Sequence, residues 1–491
     1  MDDTGRIRRP LTPTARRIVF GAATGEAREA ELRLVSEVDR AHLVMLAERG
    51  LVRREAARAL LAEIGKLRAL DFAPLREREA RRGLFLLYED CLASRLGERT
   101  AGVLRTGRSR NDLNATVLLL RLRAPYQRLM DELLRLQAVL LRGARRHAAV
   151  VMPAYTHYQA AFPVTLGHYL AGVAIALDRD LDPLARLDAA LAGCPLGAGA
   201  GGGTVLPIDP GRTAALLGFE RPVAHSIDAV ASRDLVLRLL AGTSVLGVTL
   251  SRLAADLLLW TTGEFGFLTL PDELVGSSSL MPQKRNPFLL EHAKGRAAAP
   301  LGAFVAAATS MHATPFANSI AVGAEGCSQV VGALGAAADV AALLRLVVSG
   351  AKPVPAAMLA RARAGQTTAT ALAERLVADQ GVSFREAHHL VGSMLGGGAT
   401  AGITGSPDIG GIALDDLDPV AVAAAARYGA GPGAAVSLDG PMRRRKAWAA
   451  QRAGRARRWR RAAAALEAAV ARLESGAPAG PDHEGRLLTR H

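Results

Sequence analysis

The chain has 491 residues, half of them hydrophobic but only 4% aromatic, with a formal net charge of +15. That length exceeds what one hydrophobic core normally organises, so two or three regions are expected. A composition rich in Ala, Leu, Arg and Gly favours helices packed through small aliphatic side chains over β-sandwiches, which makes all-α the expected class.

Cys91, Cys194 and Cys327 lie far apart and form no CxxC pair, so neither a disulfide framework nor a structural zinc site is indicated, and a reducing cytoplasm is the expected location. Residues 1–6 carry no apolar run, and charges such as Arg238, Arg252, Asp339 and Arg345 interrupt the later apolar stretches. No signal peptide and no membrane span are therefore expected. Much of the positive charge is concentrated in one place, since Arg443 to Arg461 holds ten basic residues and no acidic one. A solvated helix is the plain reading of that tail and a polyanion-binding tail the sharper one; nucleic acid is not the expected partner.

Residues 29–101 read as short helices: Leu32, Val35, Val38, Leu43 and Leu46 make one apolar face, and Leu60, Leu61, Ile64 and Leu67 another. From Asp112 to about Lys352 the pattern changes to long apolar segments, Leu113 to His147, Val164 to Leu191, Ser226 to Glu264 and Leu289 to His312. Asp234 with Arg238, and Arg252 with Asp256, stand at helical ion-pair spacing inside the third. The run Gly193 to Gly203 lacks the Lys-Ser of a phosphate loop and reads as a turn allowing close helix approach. Lys352-Pro353-Val354-Pro355 ends the bundle, and a smaller helical region, a glycine-rich stretch and the basic tail follow. The expected divisions are 1–111, 112–355, 356–442 and 443–491, with disorder over the last dozen or so residues.

Three polar islands fall where apolar helices begin or end: Thr106 to Asp112, Thr156-His157-Tyr158-Gln159, and Gly276 to Pro287 with Glu291 beyond it. Helix N-termini expose N–H groups and partial positive charge, which suits a carboxylate. The first island alone could be an elaborate cap, and a single His beside a Gln is more often structural than catalytic. The third, Ser278-Ser279-Leu280-Met281-Pro282-Gln283-Lys284-Arg285-Asn286-Pro287, gathers hydroxyls, an amine and an amide on one connection and is hard to explain by packing.

In this loop the chain resembles the fumarase/aspartase superfamily, and specifically the argininosuccinate lyase family. The resemblance runs through Ser36 to Asp39, Thr106 to Asp112, Met152 to Gln159, Pro195-Leu196-Gly197, Ser226 to Val230, Arg233-Asp234, Glu264 to Phe267 and Phe384 to His389. It implies an all-α fold of three regions, a homotetramer with a twenty-helix core, and active sites each built from three subunits.

The resemblance also implies roles. Ser278 corresponds to the base, His157 to the site histidine, Glu291 to its charge-relay partner, and Lys284 and Asn286 to the groups holding the carboxylate beside the departing proton. Ser109, Arg110, Asn111 and Thr156 correspond to further contacts to the fumarate half, and Gln159, Arg233, Ser279 and Met281 complete the substrate-binding set. The implied substrate is a small dicarboxylate, an N-substituted aspartate, and no metal or organic cofactor is called for.

The family's usual Leu-Pro-x-x-Tyr-Asn-Lys-Asp-x-Gln-Glu-Asp-Lys is replaced by Thr314 to Glu325, where Pro315 and Asn318 survive and Ala317, Val322 and Glu325 stand at polar or basic positions. Leu32, Arg105, His225 and Ser277 are further departures. The retained residues imply fumarate release, and the departures imply an amine other than arginine. Argininosuccinate lyase activity itself, a non-catalytic crystallin-like scaffold and a polyanion-binding protein are the alternatives.

Overall fold

The computed structural model describes residues 11–20, 25–395, 417–426 and 438–476. The glycine-rich stretch after the Phe384 to His389 motif and the end of the chain, where disorder is expected, lie outside the described residues. Helices α1 (Gly25–Glu48), α2 (Arg54–Ala69) and α3 (Leu84–Leu96) pack into an N-terminal core around Leu32, Leu43, Leu60 and Tyr88. The bundle follows: α4 (Arg110–Arg146), α5 (Leu166–Arg186), α6 (Ser226–Ala231), α7 (Asp234–Trp260), α8 (Phe288–Arg296), α9 (Ala299–Met311) and α10 (Val330–Gly350). Helices α11 (Pro355–Ala364), α12 (Ala369–Gln380) and α13 (Phe384–Leu395) come next, and α14 (Asp439–Glu474) ends the described chain.

Helix α4 sets the dimensions. Its 37 residues span about 55 Å at 1.5 Å per residue. Helix α5 returns antiparallel to it, with Tyr126 donating to the Leu184 carbonyl at 2.8 Å and Gln137 to Asp178 at 3.0 Å. Helix α10 runs parallel to α4, as Arg345 pairs with Glu132 at 2.9 Å and Arg128 pairs with Asp339 nearer the start of both. Helix α7 meets the backbone at the end of α8, because a Cβ on Gly247 would lie 2.4 Å from the Ala297 carbonyl oxygen.

Several expectations change. The segment before α5 is an antiparallel hairpin, β1 (Val151–Thr156) with β2 (Gln159–Thr165), so the second long helix begins at Leu166. The third expected helix is two, α6 and α7, divided at Ser232-Arg233 where Ser232 Oγ donates to Asp234 at 2.6 Å. The fourth is also two, because the chain reorients around Ala297-Ala298 ahead of Pro300 in the first turn of α9. Asp234 and Arg238 do pair, at 3.0 Å, whereas Asp256 accepts from Tyr169 Oη at 2.6 Å and makes no ion pair with Arg252 among the described residues.

The basic tail is not a solvated appendage. Along α14, Arg444 pairs with Asp178, Arg452 with Asp131, Arg455 with Asp188 and Arg458 with Glu220. Arg123 lies between the rings of Phe219 and Trp459, at 4.4 and 4.9 Å. The last turns, through Leu466, Val470 and Leu473, join the N-terminal core. The acids that neutralise the tail lie on α4 and α5 and in the segments following α5, out of reach of any local charge count. Two helical stretches are apolar enough to cross a bilayer by length and composition, α7 among them, and α7 and α10 line the bundle core.

Candidate active site

The first island is a rigid cap. Ser109 Oγ accepts from Asn111 N at 3.2 Å while Asp112 Oδ1 accepts from Ser109 N at 2.9 Å, the reciprocal pattern that satisfies two orphan donors of a helix start. The other Asp112 oxygen accepts from Gly197 N at 3.0 Å and Gly199 N at 2.9 Å. The glycine run therefore cradles an internal carboxylate, and Gly199 is required where a Cβ would lie 2.6 Å from the Gly203 carbonyl oxygen at a φ of +59°. Burial pushes the Asp112 carboxyl above its ordinary range against those backbone donors.

Beneath this loop lies a buried set that joins two of the sequence motifs, at Asp39 and Arg108, to His42 and Tyr88, which no motif contained. Arg108 reaches Asp39 at 2.6 Å, with both side chains out of solvent, and His42 Nε2 meets the Thr106 carbonyl oxygen at 2.8 Å. Burial, helped by the Arg108 charge, lowers the His42 pKa to about 3 and so keeps the imidazole neutral, its Nε2–H donating to Thr106. Burial likewise raises the Tyr88 hydroxyl well above its ordinary value, with Asp39 adding to the effect.

The second island is the turn of the β1–β2 hairpin. Thr156 pairs with Gln159, and the two residues between them, His157 and Tyr158, have φ of +52° and +62°. Both central residues at positive φ is the geometry that Asn-Gly or Gly-Gly usually supplies, and a non-glycine residue held there costs on the order of 1–3 kcal/mol.

The third island connects α7 to α8. Gly276 and Asn286 exchange both backbone hydrogen bonds at 2.8 Å, pinching the loop shut at its base. Ser278 Oγ accepts from Leu280 N at 3.3 Å and Met281 N at 3.0 Å, and Asn286 Nδ2 donates to the Ser277 carbonyl at 3.4 Å. Arg285 anchors the loop through Asp272 at 2.6 Å and the Leu270 carbonyl at 2.8 Å. Ser279, Met281 and Lys284 are exposed, and Glu291 is exposed in the first turn of α8.

These islands are not brought together within one chain. Ser109, Arg110 and Asn111 begin α4, whereas His157 follows its far end, a separation on the order of 50 Å. Tyr155 packs on Phe265 at 5.5 Å, which puts the Ser278 loop at the hairpin end of the bundle. Among the described residues no hydrogen bond or ion pair joins one island to another. Arg233 is buried at the α4-start end, where Nη1 donates to the Ser232 carbonyl at 2.5 Å. Asn318 Nδ2 donates to Asn111 Oδ1 at 3.0 Å, which seats the divergent stretch beside the first island.

The bundle of long helices has the all-α architecture of fumarase/aspartase-superfamily lyases. Residues 87–302 match the lyase family and residues 366–422 the argininosuccinate lyase C-terminal family. The chain is 38% identical to argininosuccinate lyase from Halorhodospira halophila, covering 72% of this chain and 75% of that one. It is 37% identical to argininosuccinate lyase from Methylococcus capsulatus, over 77% and 80%. EDDS lyase in complex with formate superposes with a TM-score of 0.82 at 30% identity, covering 95% and 96%. Class II fumarase from Schistosoma mansoni shares the fold, with a TM-score of 0.63 at 16% identity over 76% and 85%. The chain belongs to the argininosuccinate lyase family: it is a carbon–nitrogen lyase that releases fumarate.

Proposed function

We propose that the substrate is an N-substituted aspartate whose amine is not arginine, and that each site is assembled from three subunits of a homotetramer. The amine reading rests on the stretch Thr314 to Glu325 held against Asn111: Ala317 and Glu325 are exposed there, while Val322 is turned into the core at 7% exposure. This surface offers a carboxylate and apolar groups, which do not pair with an amino acid's carboxylate. The assembly reading is supported by the separation of the islands along α4. Exposed Val245, Val248, Leu301 and Val305 on α7 and α9 are apolar surface suited to neighbouring subunits.

In this reading Ser278 takes the proton beside one carboxylate and the resulting dianion is stabilised by Lys284 and Asn286, with Arg110, Ser109 and Asn111 from another subunit on the fumarate half. The C–N bond then breaks, its electron pair leaving with nitrogen, and a proton returns to the amine. The two N–H groups already aimed at Ser278 Oγ favour its ionised form. His157 with Glu291, and Thr156, Gln159, Ser279, Met281 and Arg233, complete the proposed set. Argininosuccinate as substrate is the second reading, favoured by relatives of that name at 36–38% identity.

The test follows fumarate absorbance with argininosuccinate and a panel of N-alkyl and N-aryl aspartates. Turnover of panel members well above argininosuccinate, lost in Ser278→Ala with the tetramer intact, is the expected result. Preferred turnover of argininosuccinate would overturn the amine reading, and full activity of Ser278→Ala would remove the base.

A further inference from the structure

The chain has only three tryptophans, six tyrosines and eleven phenylalanines, yet six of these rings meet at one cavity of about 610 Å³ at the foot of the hairpin. Tyr155, Tyr158 and Phe162 come from the hairpin, Tyr169 from α5, Trp260 from the end of α7 and Phe265 from the turn after it. Tyr169 and Trp260 stack edge to face with centroids 4.6 Å apart, so this wall is preformed. The rim is open, with Tyr158 87% and Phe162 48% exposed. His157 stands on the same rim.

One wall carries charge. Asp256 lines the cavity and accepts from Tyr169 Oη at 2.6 Å. Burial and the Asp256 charge hold the Tyr169 hydroxyl well above its ordinary pKa, so it stays a donor to that carboxylate. Tyr155 Oη is a buried hydroxyl with no hydrogen-bond partner. No lysine or arginine is among the described residues lining this space. Aromatic faces and a carboxylate attract a cation, and with His157 and His168 as the lining bases there is no lysine or arginine to pair a guest's own carboxylate.

We infer that this cavity binds an apolar organic ammonium ion and, resting on the lyase and shared-site readings above, that the amine half of the substrate lies between this cavity, beside His157, and the Thr314 to Glu325 stretch of another subunit. Its volume suits a small aromatic or branched alkyl group, and its charge disfavours amino acids.

The binding test uses the full chain and phenethylammonium chloride, read by tryptophan fluorescence. Trp260 is in the cavity, whereas the other two tryptophans, Trp448 and Trp459, lie on α14. Saturable quenching is expected, lost in Trp260→Phe and weakened at least tenfold in Asp256→Asn, with phenethyl alcohol binding at least tenfold more weakly. In turnover of N-phenethyl aspartate, Tyr158→Leu and Phe162→Gln, both at exposed positions, should raise KM severalfold and leave inhibition by fumarate unchanged. Quenching without fumarate release from any N-substituted aspartate would sink the lyase reading and leave the ammonium site standing. Turnover without quenching, equal binding of the alcohol, or unchanged affinity in Asp256→Asn would overturn the site.

Discussion

Asp112→Asn should loosen the first island more than any exposed substitution in it. The carboxylate is fully buried and accepts four backbone donors, Ser109 N and Leu113 N on one oxygen and Gly197 N and Gly199 N on the other, all at 2.9–3.0 Å. An amide keeps one acceptor oxygen and turns an NH2 group toward two N–H groups. With about 1.5–3 kcal/mol for each hydrogen bond to a charged group, the gross loss is about 3–6 kcal/mol. Relief of burying a charge, visible in the raised pKa of this carboxyl, offsets part of it and leaves about 2–4 kcal/mol. Hydrogen exchange of peptides covering residues 106–113 and 195–203 reads the local opening directly. Such a change corresponds to protection lowered by roughly 30-fold to 1,000-fold in at least one peptide. Protection within twofold of the parent in both would refute the hub.

The remaining expectations concern the packing around that hub and between the helices. His42 has a folded pKa of about 3 against an ordinary 6.5, so between those pH values only the unfolded chain takes up this proton. Its contribution is whole above pH 6.5 and is lost as pH falls, at no more than about 1.4 kcal/mol per pH unit. His42→Gln keeps a donor for Thr106 and should flatten the decline of unfolding midpoints from pH 7 to 5; an unchanged slope assigns the decline elsewhere. Gly247→Ala places a methyl 2.4 Å from the Ala297 carbonyl oxygen, and overpacking of this kind costs about 1–3 kcal/mol. A melting temperature unchanged by that substitution would contradict the close approach of α7 to the end of α8.

Long helices were legible in the sequence because apolar periodicity over many residues survives any local accident, and the N-terminal faces through Leu32 and Leu60 are where the pattern puts them. The hairpin was not legible. Pro153 and Pro163 sit opposite each other in its register, and prolines argue against strands unless they face away from the ladder. Its turn is His-Tyr, without the glycine that announces such geometry. The signal that could have found it is the pair of short apolar runs, 151–155 and 160–164, on either side of Thr156 to Gln159. The break at Arg233 was equally hidden, because Asp234, which accepts from Ser232 Oγ at the start of α7, reads in sequence as one half of an ordinary ion-pair spacing.

At the site, motifs identified the loops but not what holds them. Asp112 was visible as the end of a motif, and only folding brings Gly197 and Gly199 to it. Arg108 and Asp39, 69 positions apart in number, form their pair through the N-terminal core. Nor could composition show that the arginines of α14 meet acids on helices roughly 250–320 residues earlier in the chain.

Sharing of sites between subunits is tested most directly by mixing two inactive proteins. Arg110→Ala disables the start of α4 and Ser278→Ala the loop at the opposite end, so refolding the two together should restore measurable fumarate release, because some mixed tetramers contain sites with both residues intact. Mixed tetramers, verified by differential tags, that remain as inactive as either parent would contradict the account.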